Sequence, residues 1–151
     1  MLGSSKMIDN IYNSEILSYA AHISRLGQLA NPDVTTQKSS RLCGSTIKVY
    51  LKMQNGMVTD FAQTVSACAL GQASASIMAQ HIIGLTAHEL KQLKATTLAM
   101  LTENGPPPSG KFSAFSCLAS VKSYKVRHAS IMLIFDALTD CIEKIEHQRT
   151  L

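Results

Sequence analysis

Between residues 46 and 65 apolar and polar side chains take turns. Ile47, Val49, Leu51 and Met53 are separated by polar residues that include Lys48 and Lys52, the period-2 pattern of a strand with one buried face. Asn55-Gly56 follows, a dipeptide that closes two-residue hairpins. Met57–Val65 then reads as the return strand. Residues 33–42 are polar and irregular, and a third antiparallel strand there is only faintly marked.

Elsewhere the period is helical. Ile8, Ile11, Tyr12, Ile16, Tyr19, Ala20 and Ile23 predict an amphipathic helix from Ile8 to about Leu26. Gly27 is its expected stop, and Asn31-Pro32-Asp33 is a break. His22, within this helix, reads as structural or solvated. After Val65, small residues crowd together at Ala67, Ala69, Ala73, Ser74, Ala75 and Ser76, predicting a helix that another element can approach closely, with Gly84 as its C-terminal stop. Thr86-Ala87-His88-Glu89 is a capping box that opens a helix running to about Leu101. Asn104–Gly110, with three successive prolines, is a solvent loop. Phe112–Val121 holds a short helix or turn around Phe115 and Leu118. A last helix starts at Tyr124 or Arg127, with Ile131, Ile134, Phe135, Leu138, Ile142 and Ile145 as its buried stripe and Glu143, Lys144, Glu146 and His147 toward its solvated end. Strands followed by segregated helices predict an α+β fold, a small antiparallel sheet with helices packed on one face.

At 151 residues, 46% hydrophobic and 16% charged, the chain has the makings of one globular domain over 8–151, with residues 1–7 as a disordered leader. No run approaches the roughly 20 apolar residues that span a bilayer. The formal charge of +4 comes from scattered Lys and Arg, with no basic block and little aromatic interleaving, which disfavours nucleic-acid binding. Met1–Met7 lacks an apolar export segment, so reduced thiols in a cytoplasmic setting are expected. Cys43, Cys68, Cys117 and Cys141 are separated by 25, 49 and 24 positions, which matches neither a zinc-finger pattern nor a small disulfide scaffold.

Cys68 ends the return strand and begins the small-residue helix. A thiol there faces the positive end of a helix dipole and unpaired N–H groups, a setting typical of reactive or metal-binding cysteines. Cys43 lies 12 residues before Asn55 and Cys68 lies 12 after Gly56, so antiparallel pairing can bring both to one end of the sheet. Two readings stand at this point: a thiolate pair for zinc, iron or an iron–sulfur cluster, or two packed structural cysteines. Cys117 precedes the last helix and is either buried or within swing of the site. Cys141, beside the Leu138/Ile142 stripe, reads as a packed hydrophobe, and the methionines as core filler.

Leu42-Cys43-Gly44-Ser45, the Asn55-Gly56 hairpin, Ala67–Ser76 and Lys122–Leu133 together resemble the NifU/IscU/SufU family of iron–sulfur cluster scaffold proteins, in order and at similar spacing from about Ile8 to Leu138. The Gln72–Ser76 run and Arg127, three residues before the third ligand position, resemble the SufU-like branch most. The resemblance implies a SufE/NifU-like fold with three antiparallel strands. It also implies a three-cysteine site, usually with an Asp after the first Cys-Gly, that holds a nascent cluster or zinc. The first two cysteines fall on Cys43 and Cys68. The Asp falls on Ser45 and the third Cys on Ser130, and a serine hydroxyl is a poor soft-metal ligand. His128, two residues earlier, is the compensating candidate, weighed against a His that packs at the helix start. The implied function is a scaffold or carrier for iron or an Fe–S cluster, with a cysteine desulfurase and acceptor apoproteins as partners and a homodimer as one way to assemble four thiolates. Two further readings are a zinc-dependent sulfurtransferase using Cys68 or Cys43, and an interaction module that binds no metal.

Overall fold

The computed structural model describes residues 13–41 and 44–150. The expected leader, the first five residues of the helix expected from Ile8, and Cys43 lie outside the described residues.

Helix α1 spans Ser14–Ala21. Asn13 is its N-cap, in extended conformation, with its side-chain oxygen accepting from the Ile16 N–H at 2.9 Å. Ile16 is its one buried residue. The helix ends at Ala21 rather than near Leu26, because the next residues pair with the sheet instead. Gln63 N–H donates to the Arg25 carbonyl and Gly27 N–H donates to the Gln63 carbonyl, both at 2.9 Å. Leu26 thereby forms a parallel bridge to Gln63, and its side chain is exposed. His22, just past the helix, holds its Nδ1 2.8 Å from the Ser18 carbonyl on the surface.

Three antiparallel strands follow, β1 Val34–Ser39, β2 Thr46–Gln54 and β3 Met57–Ser66, in spatial order β1-β2-β3. The faint third strand is therefore real. Asn55 and Gly56 take φ of 54° and 76°, both positive as a type I′ hairpin requires. The register slips once: Met53 pairs with Val58 but Lys52 with Asp60, leaving Thr59 as the extra residue of a bulge. Ser66 consequently faces Thr46, where an unbroken hairpin would bring Ser45. Ile47, Val49 and Leu51 face the core with Phe61 and Gln63 from β3 and Val34 and Thr36 from β1.

Helix α2, Ala69–His81, is buried almost all round, which its small side chains permit. Helix α3, Ala87–Thr102, starts at the predicted capping box, with Thr86 and Glu89 each bonded to the other's backbone N–H at 3.1 Å. The proline loop leads to a 3₁₀ stretch, Gly110–Val121, broken at Phe112, and a second 3₁₀ turn, Lys125–Arg127. Helix α4, His128–Thr150, lays Ile131, Ile134, Phe135, Leu138, Ile142 and Ile145 into the core against β1, β2, α2 and α3. Phe115 and Phe135 meet with ring centroids 5.2 Å apart. Thr36 is the polar residue under α4. Its hydroxyl donates to Asp140 at 3.0 Å and accepts from Lys144 Nζ at 3.3 Å, so the buried oxygen is satisfied. No helix among the described residues is long and apolar enough to cross a membrane.

Candidate metal centre

Two helix N-termini meet at one end of the sheet. Cys68 is the N-cap of α2, with extended backbone (φ −67°, ψ 170°), and its carbonyl accepts the Gln72 N–H at 2.9 Å. Its sulfur caps no helix N–H. Instead Sγ lies 3.1 Å from Oγ of Ser130, in the first turn of α4. Ser130 Oγ in turn lies 3.4 Å from Oγ of Ser45, the residue immediately before β2. Both serines are 1% exposed, whereas Cys68 keeps partial access to solvent. The loop that carries Ser45 is pinned by Ser40 N–H to the Ser45 carbonyl and by Gly44 N–H to the Ser40 carbonyl. Three residues far apart in the chain thus form one row, Ser45–Ser130–Cys68.

The close approach depends on Gly71. A Cβ at that position would sit 2.6 Å from Ser130 Oγ, 2.9 Å from Ala67 Cβ and 3.3 Å from the Ser130 carbonyl oxygen. One turn further, Ser74 Oγ donates to the Ile131 carbonyl at 2.8 Å and ties α2 to α4 again. The run of small residues therefore serves the crossing that brings Ser130 to Cys68.

His128, at the start of α4, is 9% exposed, and its Nε2 lies 3.1 Å from the Val121 carbonyl. A carbonyl only accepts, so Nε2 is the donor of this contact, and Nδ1 is the ring nitrogen left for any other partner. Cys117 is buried, and burial pushes its thiol up to about 12, with Glu15 adding to the effect. Burial likewise raises Cys141 to about 11. Neither thiol is readily ionised, so of Cys68, Cys117 and Cys141 the chemistry favours Cys68 as a soft-metal donor. Among the described residues no group of three or more His, Cys, Asp and Glu stands ready to enclose a metal ion. Sequence reasoning named Cys68, Ser45 and Ser130 but missed Gly71, whose signal was its place among small residues one turn after Cys68. A groove of about 700 Å³ between α3 and the proline loop shares none of these residues.

The chain matches the family model of the NifU-like N-terminal domain over residues 11–131. It is 29% identical to the iron–sulfur cluster assembly scaffold protein IscU of Thermotoga maritima over 135 residues, 89% of this chain and 94% of the relative. The crystal structure of a nitrogen-fixing NifU-like protein (N-terminal) from Brucella abortus superimposes with a TM-score of 0.91 at 54% identity, covering 93% of this chain and 98% of that one. The SufU protein of Fervidobacterium islandicum shares the fold, with a TM-score of 0.80 at 21% identity over 88% and 97% of the two chains. With that model spanning most of its length, the chain belongs to the NifU-like N-terminal domain family.

Proposed function

We propose that this chain is an iron–sulfur cluster assembly scaffold or carrier, a single domain over residues 8–151 that takes up iron and sulfur at Cys43 and Cys68 and passes them on. The observation that carries the reading is Cys68: a partly exposed thiol at a strand-to-helix junction, set against Ser130, in a chain of this family. The cargo is iron and sulfide, and the chain's part is to supply thiolates and release them, with no substrate turned over. A cysteine desulfurase would supply the sulfur at the persulfide level, an electron donor would bring it to sulfide, and apoproteins would accept the product, in the cytoplasm.

Two thiolates per chain leave iron undersaturated. His128 is the third donor of choice, through Nδ1, since a ligating His commonly gives its other N–H to a backbone carbonyl, as Nε2 does here to Val121. A homodimer sharing one cluster would bring four thiolates together without any help from Ser130.

Anaerobic reconstitution with ferric iron, a thiol reductant and sulfide, followed by iron, sulfide and zinc assays per chain, tests the reading. A visible cluster spectrum that is lost in Cys43→Ala and in Cys68→Ala and kept in Cys141→Ala supports it. Stoichiometric zinc with sulfur acceptance from a desulfurase replaces it with the sulfurtransferase role. Neither metal nor sulfur leaves an interaction module. Unchanged metal content in His128→Ala removes His128 from the ligand set.

A further inference from the structure

The Cys68–Ser130–Ser45 row fixes a direction of hydrogen bonding once the sulfur has no proton. A metal-bound or ionised Cys68 can only accept, so the 3.1 Å contact then needs the Ser130 hydroxyl hydrogen. The Ser130 oxygen is left to accept, and Ser45 Oγ, 3.4 Å away, is placed to give to it. Ser130 has little freedom to do otherwise. It is 1% exposed, and α2 approaches so closely at Gly71 that even a methyl there would lie 2.6 Å from its Oγ.

We propose that Ser130 is a positioning residue for the metal-bound sulfur of Cys68, its hydroxyl, backed by Ser45, donating to that sulfur from outside the coordination sphere. The inference rests on the scaffold reading and deepens it: Ser130 acts as a hydrogen-bond support in place of a fourth ligand. Hydrogen bonds to a ligand sulfur draw off electron density and orient its lone pairs, which tunes both the strength of the metal–sulfur bond and its spectrum.

Cobalt(II) tests this without any assay of cluster transfer. Added anaerobically to the full chain, it gives sulfur-to-cobalt charge-transfer bands whose intensity reports the number of thiolates and whose energy reports the hydrogen bonds they accept. In Ser130→Ala the band moves to lower energy, because the sulfur lone pair is no longer stabilised. Cobalt affinity falls about tenfold, the lower end of what loss of such an outer partner costs. A thermal melt of the apo proteins separates these changes from altered folding. Bands in Ser130→Ala that superimpose on those of the parent chain overturn the proposal and leave the scaffold reading intact. Absence of charge-transfer bands in the parent chain itself overturns the thiolate site, and with it both readings.

Discussion

Replacing Gly71 by Ala puts the packing argument at risk in the most direct way. On helical propensity alone the change should stabilise the chain, by about 0.5–1 kcal/mol, because Gly is a poor helix residue. The structure predicts the opposite. The added methyl would stand 2.6 Å from Ser130 Oγ, 2.9 Å from Ala67 Cβ and 3.3 Å from the Ser130 carbonyl oxygen, and only the first of these can turn away. If the hydroxyl does turn, it abandons Cys68 and Ser45, giving up about 0.5–1.5 kcal/mol for each hydrogen bond in a site with little water to replace them. If it does not, α2 and α4 must separate, and overpacking of this kind costs about 1–3 kcal/mol. Either cost, weighed against the gain in propensity, leaves a net loss of about 1 kcal/mol. For a chain of this size that is a Tm lowered by about 2–4 °C. Circular dichroism melts of the two apo proteins measure it. The double variant Gly71→Ala/Ser130→Ala sharpens the test: with the 2.6 Å contact gone, the cost of the added methyl should fall by about 1 kcal/mol, a coupling normal for residues in contact. A Gly71→Ala chain as stable as the parent, or more stable, would show that the helices are not held at the spacing described.

Three further outcomes follow from the same structure. Among Cys68, Cys117 and Cys141, iodoacetamide at pH 8 should label only Cys68 in the native chain, because burial holds the other two protonated, at about 12 and about 11. Peptide mass mapping reads this, and early labelling of Cys117 would show that the core around it opens. The Asp140 carboxyl is held below its usual value first by the Lys144 hydrogen bond, with Thr36 and Lys38 adding to it. Its contribution to stability is therefore present above the usual carboxylate range and lost as pH falls through the lowered value, so the Tm gap between the parent and Asp140→Asn should close on acidification. Asn13→Ala removes the cap of α1 and should cost about 1 kcal/mol in denaturant melts, with the slope of unfolding against denaturant unchanged.

Local pattern carried the prediction wherever local physics decided the structure. Alternation plus Asn55-Gly56 gave the β2–β3 hairpin, Thr86 and Glu89 gave the start of α3, and the stripe from Ile131 to Ile145 gave the buried face of α4. It failed where a distant partner decided. Strand β1 looks polar because Thr36 faces the core, yet Thr36 is satisfied by Asp140 and Lys144, more than 100 positions away. Ile23 and Leu26 continue the helical period of α1, but the backbone there finds Gln63 of β3, and Arg25 takes a φ of 59° that no helix contains. Gln63 itself is fully buried, with its side-chain nitrogen donating to the Ala75 carbonyl at 3.2 Å, so the edge of the sheet is sealed by a polar residue that alternation alone would not assign to the core.

The candidate site divides along the same line. The position of Cys68 could be read from the sequence because one strand end and one helix start define it. What surrounds Cys68 could not, because Ser130 stands 62 positions away and is brought in by the crossing of α2 over α4. That crossing has its own mark in the sequence, the concentration of small residues after Cys68, and Gly71 is the one among them whose missing side chain faces Ser130. The small-residue helix and the cysteine are thus one feature: the helix is narrow so that a second helix start can stand against the thiol at its head. A chain with the same cysteines but bulky residues at positions 71 and 74 would hold α2 and α4 too far apart for any group at position 130, serine or thiol, to reach the sulfur of Cys68.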